Sequence, residues 1–326
     1  MAVIKENEMK KIYVKDLKPD NKQFQERFMV KSVEIRDGNG GKKHLYLTLG
    51  DNTTDVQAVK WSLTSKEVEA FSKIETGMIV AILGKCSEYQ GKLQIVLDGI
   101  KLAAEGTYDK ADFIKAAPED TESMYNYIID TINEFKDEEL KDLCLSIYNE
   151  RKEKMLYWPA AKAHHHAEYG GFLWHVKRMT MQGKAISEIY PFLNRDLLLT
   201  GIILHDVEKL SEMISDENGV VSDYSIRGKL LGHLVMGAEM VGEKCRELMI
   251  GEEKTLLLQH IILSHHGLPE WGSPKAPMIP EAEALHLIDM MDARMFVYED
   301  VLEYLEPGTM SERTFSLGKE LYKAAF

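Results

Sequence analysis

The stretch Leu199–Lys209, "LTGIILHDVEK", sets an aliphatic run directly against a histidine and an aspartate. A run of this kind belongs in a protein core. An ionised carboxylate buried there without a partner costs several kcal/mol or more. Other polar side chains must therefore meet His205 and Asp206, and the rest of the chain can be searched for them.

Ten of the eleven histidines lie beyond residue 160, several of them inside apolar segments. His175 follows "GGFLW", His233 sits in "LLGHLVMG", His265 and His266 end "IILSHHG", and Asp289 lies in "LHLIDMMDAR". Taken singly, each reads as a core histidine or a helix cap. Together, five segments each delivering an imidazole or a carboxylate from an apolar face point to a metal site. That donor mixture suits Mn²⁺, Fe²⁺, Co²⁺ or Zn²⁺. Adjacent helical residues point about 100° apart, so His205 and Asp206 can serve one site only near a helix end.

The 326 residues suggest about two domains. Residues 1–108 hold 17 Lys/Arg against 15 Asp/Glu, whereas the whole chain carries a net charge of −13. The excess acid therefore lies in the second part, and the balance argues against a protein that coats nucleic acid by bulk charge. Cys86, Cys144 and Cys245 are scattered and lack CxxC spacing, so they read as free thiols in a reducing, cytoplasmic setting. The charged N-terminus does not read as a signal peptide, and the run Leu197–Leu204 is too short to span a bilayer. No membrane association is expected.

The two parts also differ in period. "FQERFMVKSVEIRD", "KHLYLTLGD", "DVQAVKWS", "MIVAILGKCSEY" and "KLQIVLDGIKLA" are β-rich runs, with "DGNGGKK" and "YQGK" as turns. "TSKEVEAFSKIETG" reads as a helix between the third and fourth. This is the arrangement of an OB-fold barrel. Its exposed aromatics and lysines are candidate contacts to single strands: Trp61, Tyr89, Phe28 and Tyr46, with Lys60, Lys92, Lys31, Lys42 and Lys43. Aromatics at strand spacing fill barrel cores equally well.

From residue 121 the apolar spacing is helical. The expected fold is multidomain: an all-β OB-fold barrel over 1–108, a linker with leading helices over 109–160, and an all-α unit over 161–326. His286 and Asp292 share a helix face with Asp289 and are expected to support the ligands. Gly170 and Gly171 should let the chain pass close to the site. His260 reads as a core residue.

The order H…HD…H…HH…D resembles that of the HD-domain metal-dependent phosphohydrolases. With the barrel, "AKAHHHAEYGGFLWH", "LNRDLLLTGIILHDVEKL", "SHHGLPEWGSPKAPMIPEAEALHLIDMMDAR" and the closing "FSLGKELYKAAF", nearly the whole chain resembles the YhaM-type 3′→5′ exoribonucleases. The resemblance implies hydrolysis of single-stranded RNA, and to some extent single-stranded DNA, to nucleoside 5′-monophosphates by metal-activated water. It implies two divalent ions, Mn²⁺ foremost or Co²⁺. His175, His205, Asp206 and Asp289 would be the core ligands, with His233, His265 and His266 completing a second position. Asp206 would act catalytically as the bridge between the ions. Lys209 would meet a phosphate oxygen, although Glu208 stands where many relatives have Gly. His165 and His166, with His164, would touch the scissile phosphate or its entrance. A homo-oligomer enclosing the sites is a further expectation.

Two other functions fit parts of this pattern. One is hydrolysis of small nucleotides, dNTPs or cyclic dinucleotides, with the barrel regulatory. "HHGLPEWGSP" lacks the GYP continuation of the cyclic-dinucleotide subclass. The other is a non-catalytic RNA-binding protein, against which the intact H, HD and D positions argue.

Overall fold

The computed structural model describes residues 10–104, 106–109, 112–161, 168–217 and 219–326. It divides into two compact units, with the division between Ala116 and Ala117.

The first unit is a closed five-stranded barrel. Its strands are β1 (Gln23–Asp37), β2 (Lys43–Gly50), β3 (Asp55–Leu63), β4 (Ile79–Tyr89) and β5 (Lys92–Leu102), closed in the order β1-β2-β3-β5-β4. All neighbours are antiparallel except the parallel pair β3 and β5. That pair needs a crossover, and α1 (Ser65–Phe71) lies in it, begun by a capping box in which Thr64 and Glu67 bond each other's backbone N–H. Alternate residues such as Leu45, Leu47 and Leu49 fill the interior, as period-2 strands require. The connector is partly ordered onto this unit: Phe113 is buried, and Tyr13 donates to Asp112 over 2.7 Å.

The second unit is helical: α2 (Thr121–Asn133), α3 (Glu138–Met155), α4 (Gly171–Ile189), α5 (Arg195–Leu204), α6 (Lys209–Glu212), α7 (Ile226–Glu247), α8 (Glu252–Ser264) and α9 (Pro280–Glu303). The leading helices α2 and α3 share its core, with Met124, Ile128, Leu143 and Ile147 buried among residues of α4 and α5. One element was not expected from the sequence pattern. A short hairpin, β6 (Met213–Ser215) with β7 (Val221–Tyr224), stands between α6 and α7.

Helix α5 is the aliphatic run quoted first, and it is central. Every residue from Asp196 to Leu204 is buried, against α3, α4, α8 and α9. Such a helix is apolar all round, which is why no amphipathic stripe marks it. Its one buried acid, Asp196, accepts from the backbone N–H groups of Lys136 and Asp137 at 2.7 and 3.0 Å. Gly201 sets how closely α8 and α9 approach, because a Cβ there would lie 2.6 Å from Ile261 Cγ2 and 3.1 Å from Leu285 Cδ1. Overpacking of this kind costs about 1–3 kcal/mol, and better helix propensity returns up to about 1. Gly201→Ala is therefore expected to lower the thermal midpoint of the helical unit by roughly 2–8 °C in a calorimetric scan. An unchanged midpoint would show that the helices can separate freely.

Candidate metal centre

Three of the histidines are positioned by the ends or breaks of helices. Helix α5 ends at Leu204 and α8 at Ser264, so His205 and His265 occupy their C-caps. The last carbonyls of a helix lack intrahelical partners. His205 Nδ1 donates to the Ile202 carbonyl and His265 Nδ1 to the Ile262 carbonyl, each at 2.7 Å and three residues back. His233 follows a break in α7, where Gly232 adopts φ 72°, ψ 157°. The Glu212 carboxylate takes up the freed His233 N–H at 3.0 Å and the ring Nδ1–H at 3.1 Å.

His175, within α4, donates Nδ1–H to Asp292 at 2.8 Å, and Arg178 Nε pairs with the same carboxylate at 2.8 Å. His266 donates Nδ1–H to the Trp271 carbonyl at 2.9 Å. A carbonyl only accepts, so in His205, His265 and His266 the proton is fixed on Nδ1 and Nε2 carries a lone pair.

These Nε2 atoms converge on Asp206 and Asp289. Asp206 Oδ2 lies 2.6 Å from Lys209 Nζ and 3.2 Å from His205 Nε2. Its Oδ1 faces His233 Nε2 at 3.3 Å and His265 Nε2 at 3.7 Å. His175 Nε2 is 3.3 Å from Asp289 Oδ1. The partners demanded by "ILHD" are thus an ammonium and a ring of imidazoles. In each of the trios His175–His205–Asp206, His205–His265–Asp289 and His233–His265–His266, one ligand atom per residue lies within 4.8 Å of the other two.

Burial opposes the charge on Asp206 and Asp289. The Lys209 ammonium nevertheless holds Asp206 well below the carboxylate range, and the His175 hydrogen bond holds Asp289 below it too. Burial pushes His265 down to about 3, so it stays neutral. His175 is the exception: burial works against its proton, but hydrogen bonds to Asp289 and Asp292 outweigh that and raise it to about 9.

Several expectations change in detail. Glu208 is held by Arg151 at 2.9 Å and so is engaged away from Lys209. Asp292 supports His175, whereas His286 donates to the His265 carbonyl at 2.8 Å and so touches the backbone of a candidate ligand. His260 Nε2 accepts from Met278 N at 2.9 Å, clamping a loop. Gly170 has φ +71°, and a Cβ there would lie 2.5 Å from Thr121 Cγ2, so it serves helix packing. His164, His165 and His166 lie outside the described residues. Glu212 and Arg178, which orient His233 and His175, were not singled out from sequence.

On the barrel, Trp61 and Tyr89 are 50% and 60% exposed, and Lys92 is exposed. Trp61 packs edge-on against His44 and Tyr46, and Arg36 lies over the Tyr46 ring. Phe28 is fully buried, so it is core and not a contact residue. Lys60 also departs from expectation: its ammonium donates to the Asp98 carbonyl at 2.9 Å and pairs with Glu67 at 3.5 Å. Val59 pairs with Val96 and Tyr89 with Lys92. Trp61 and Tyr89 therefore sit about six ladder positions apart, roughly 20 Å.

Residues 172–294 match the family model described as an HD domain, and residues 29–103 that of an OB-fold nucleic acid binding domain. The "3'-5' exoribonuclease YhaM" of Geobacillus sp. (strain WCH70) is 37% identical over 300 residues, 91% of each chain. This chain belongs to the YhaM exoribonuclease family. Among solved structures, the second OB-fold domain of replication protein A from Methanococcus maripaludis is 18% identical, with a TM-score of 0.23 over 29% of this chain and 96% of that one. The protein PriB from Ralstonia solanacearum is 13% identical, with a TM-score of 0.22 over 26% of this chain and 98% of that one.

An HD domain implies a divalent metal, and the side chains of this YhaM-family site fit one. His205 Nε2, His233 Nε2, His265 Nε2 and Asp206 Oδ1 are buried with no hydrogen-bond partner among the described residues. Buried polar atoms are rarely left so, and four facing one space are the donors a cation takes. Nitrogen donors together with carboxylates favour a transition metal over Mg²⁺ or Ca²⁺, which prefer oxygen. No helix of the described residues is long and apolar enough to cross a membrane.

Proposed function

We propose that this protein is a metal-dependent 3′→5′ exoribonuclease that hydrolyses single-stranded RNA, and secondarily single-stranded DNA, to nucleoside 5′-monophosphates. The observation that carries the reading is the set of imidazoles whose Nδ1 protons are committed outward while their Nε2 atoms face Asp206. His175, His205, Asp206 and Asp289 would hold one ion, and Asp206, His233, His265 and His266 a second, with Mn²⁺ the foremost candidate. Bound there, such ions neutralise phosphate charge and lower the pKa of water toward 7.

The remaining work falls to the chain's own residues. Asp206, with one oxygen toward His205 and the other toward His233 and His265, would help to hold both ions. Lys209, which lines the cleft beside Asp206, would meet a phosphate oxygen. Glu212, Asp292 and the two helix-end carbonyls hold the imidazoles in orientation, so none need reorganise during turnover. His165 and His166 are retained as candidate phosphate contacts. Trp61, Tyr89 and Lys92 would hold the strand by stacking and charge, which is tolerant of sequence; Lys60 is tied into its own strand and is weaker in that role. Free buried thiols at all three cysteines support a reducing, cytoplasmic setting. Ile226 and Leu230, one turn apart on α7 and each over three-quarters exposed, support a homo-oligomer.

The test is product analysis on a 5′-labelled single-stranded oligoribonucleotide. With Mn²⁺ the label should shorten one nucleotide at a time from the 3′ end, releasing 5′-monophosphates, and excess chelator should stop it. Internal cleavage, or turnover of mononucleotides alone, would reject the reading.

A further inference from the structure

Beside the metal centre lies a cleft of about 560 Å³, within the usual range of small-ligand pockets. Its lining includes Asp206, Lys209, His266 and Asp289 together with Trp271 and Arg294. Nothing in the metal chemistry needs an indole there.

Trp271 is 53% exposed, yet it is firmly placed. Its carbonyl takes the Nδ1 proton of His266, and its ring lies 6.0 Å from that of His286 at an interplanar angle of 35°. His286 is in turn fixed to the His265 carbonyl. The loop that carries Trp271 turns at Gly267, φ +79°, where a Cβ would lie 2.4 Å from the His286 ring, and again at Gly272, φ +101°. The segment "HHGLPEWG" is thus bent so that Trp271 is tied by its carbonyl to His266 and lies with its ring beside His286. Arg294 follows Asp289 on α9 by five residues; it is exposed, and no carboxylate pairs with it among the described residues. An exposed aromatic face and an unengaged guanidinium beside a phosphate-cleaving centre match the two halves of a nucleotide, a π-face and an anion.

We propose that Trp271 and Arg294 form the subsite for the 3′ end of the strand: Trp271 stacks on the terminal base, and Arg294 pairs with the phosphate one nucleotide inward. This rests on the exonuclease reading above. It makes the enzyme a reader of nucleotides rather than of phosphodiesters in general, while leaving it tolerant of base identity, since every base has a π-face.

The test crosses protein and substrate. Oligoribonucleotides ending in an ordinary nucleotide or in an abasic ribose are compared on wild type, Trp271→Ala and Trp271→Phe, with Mn²⁺. Stacking of this kind corresponds to roughly 10- to 100-fold. Wild type should lose that factor on the abasic end, mostly in KM. Trp271→Ala should show the same loss on the ordinary end and little further loss on the abasic one, whereas Trp271→Phe should stay within a few-fold of wild type. Binding followed by fluorescence anisotropy in chelator should show the same pattern without turnover. Arg294→Ala should flatten the salt dependence of that binding by about 0.7 in log–log slope, the value for one phosphate on a single strand. Equal losses for Trp271→Ala on both ends, or a wild type indifferent to the missing base, would overturn the subsite alone. A wild type that shortens neither strand would overturn the exonuclease reading instead. The wild-type comparison needs no variant, so it decides the subsite even where Trp271→Ala folds poorly.

Discussion

Asp206→Asn is expected to lower turnover of single-stranded RNA by on the order of 10³-fold or more, with loss of bound metal. Each factor of ten corresponds to about 1.4 kcal/mol, so this asks the carboxylate for about 4 kcal/mol, within what charge neutralisation by a metal site supplies. The geometry explains why the isostere fails. Oδ1 faces His233 and His265, and Oδ2 faces His205 and the Lys209 ammonium. An amide offers one oxygen in place of two and turns an N–H toward either a cation or an ammonium. Fold and chemistry must be separated, because Lys209 would lose its nearest counter-charge. Breaking a buried pair costs about 3–5 kcal/mol. Asp206→Asn combined with Lys209→Met should therefore recover much of the thermal midpoint without recovering turnover. Metal content by mass spectrometry and a melting curve on each variant make the comparison, and near-normal turnover in either variant would remove Asp206 from the chemistry.

How much of this is legible in the sequence depends on how local each signal is. The barrel was legible because period-2 alternation, glycine turns and the helical stretch between the third and fourth strands are all short-range features. The ring of donors was legible because a histidine ending an aliphatic run is conspicuous, and "GIILHD" and "IILSHH" proved to be two helix ends used alike. What holds those donors was legible only in part: Asp292 was expected to support the ligands from the face it shares with Asp289, but which histidine it meets was not. Asp292 meets His175 across 117 residues, and Glu212 meets His233 across 21 through a helix break at Gly232. No local pattern encodes either contact. Phe28 and Lys60 show the same limit on the barrel, since strand spacing names a face but not whether it points inward, nor which carbonyl waits for an ammonium. Glu208 looked like a threat to Lys209 until Arg151, distant in sequence, accounted for it.

His175 leads to the second large effect, a competition between proton and cation. Its Nδ1 is occupied by Asp292, so the added proton of the imidazolium sits on Nε2, facing Asp289 at 3.3 Å. That is the atom a metal needs. Without metal the hydrogen bonds to Asp289 and Asp292 raise this group to about 9, against about 6.5 for a free histidine. A raised value means that the folded metal-free protein holds the proton more tightly than the unfolded chain does. The resulting stability is complete below about pH 6.5 and lost as pH rises through about 9. At about 1.4 kcal/mol per pH unit it amounts to roughly 3 kcal/mol. Metal binding runs the other way: the proton must leave, so affinity should rise close to tenfold per pH unit from about 6.5 to 9 and then level off. Both slopes report the same proton, and one observable reads it. The rise in thermal midpoint produced by saturating Mn²⁺ should grow across that window, reaching several degrees at its upper end. Calorimetric titration at pH 7.5 in buffers of different ionisation enthalpy should count about one proton released per metal-loaded site. His265, pushed down to about 3, is already unprotonated there and contributes none. A midpoint shift independent of pH, with no proton released, would mean that His175 does not give up its Nε2 proton to a metal. The His175–Asp289 side of the centre would then be a salt bridge and not a ligand pair.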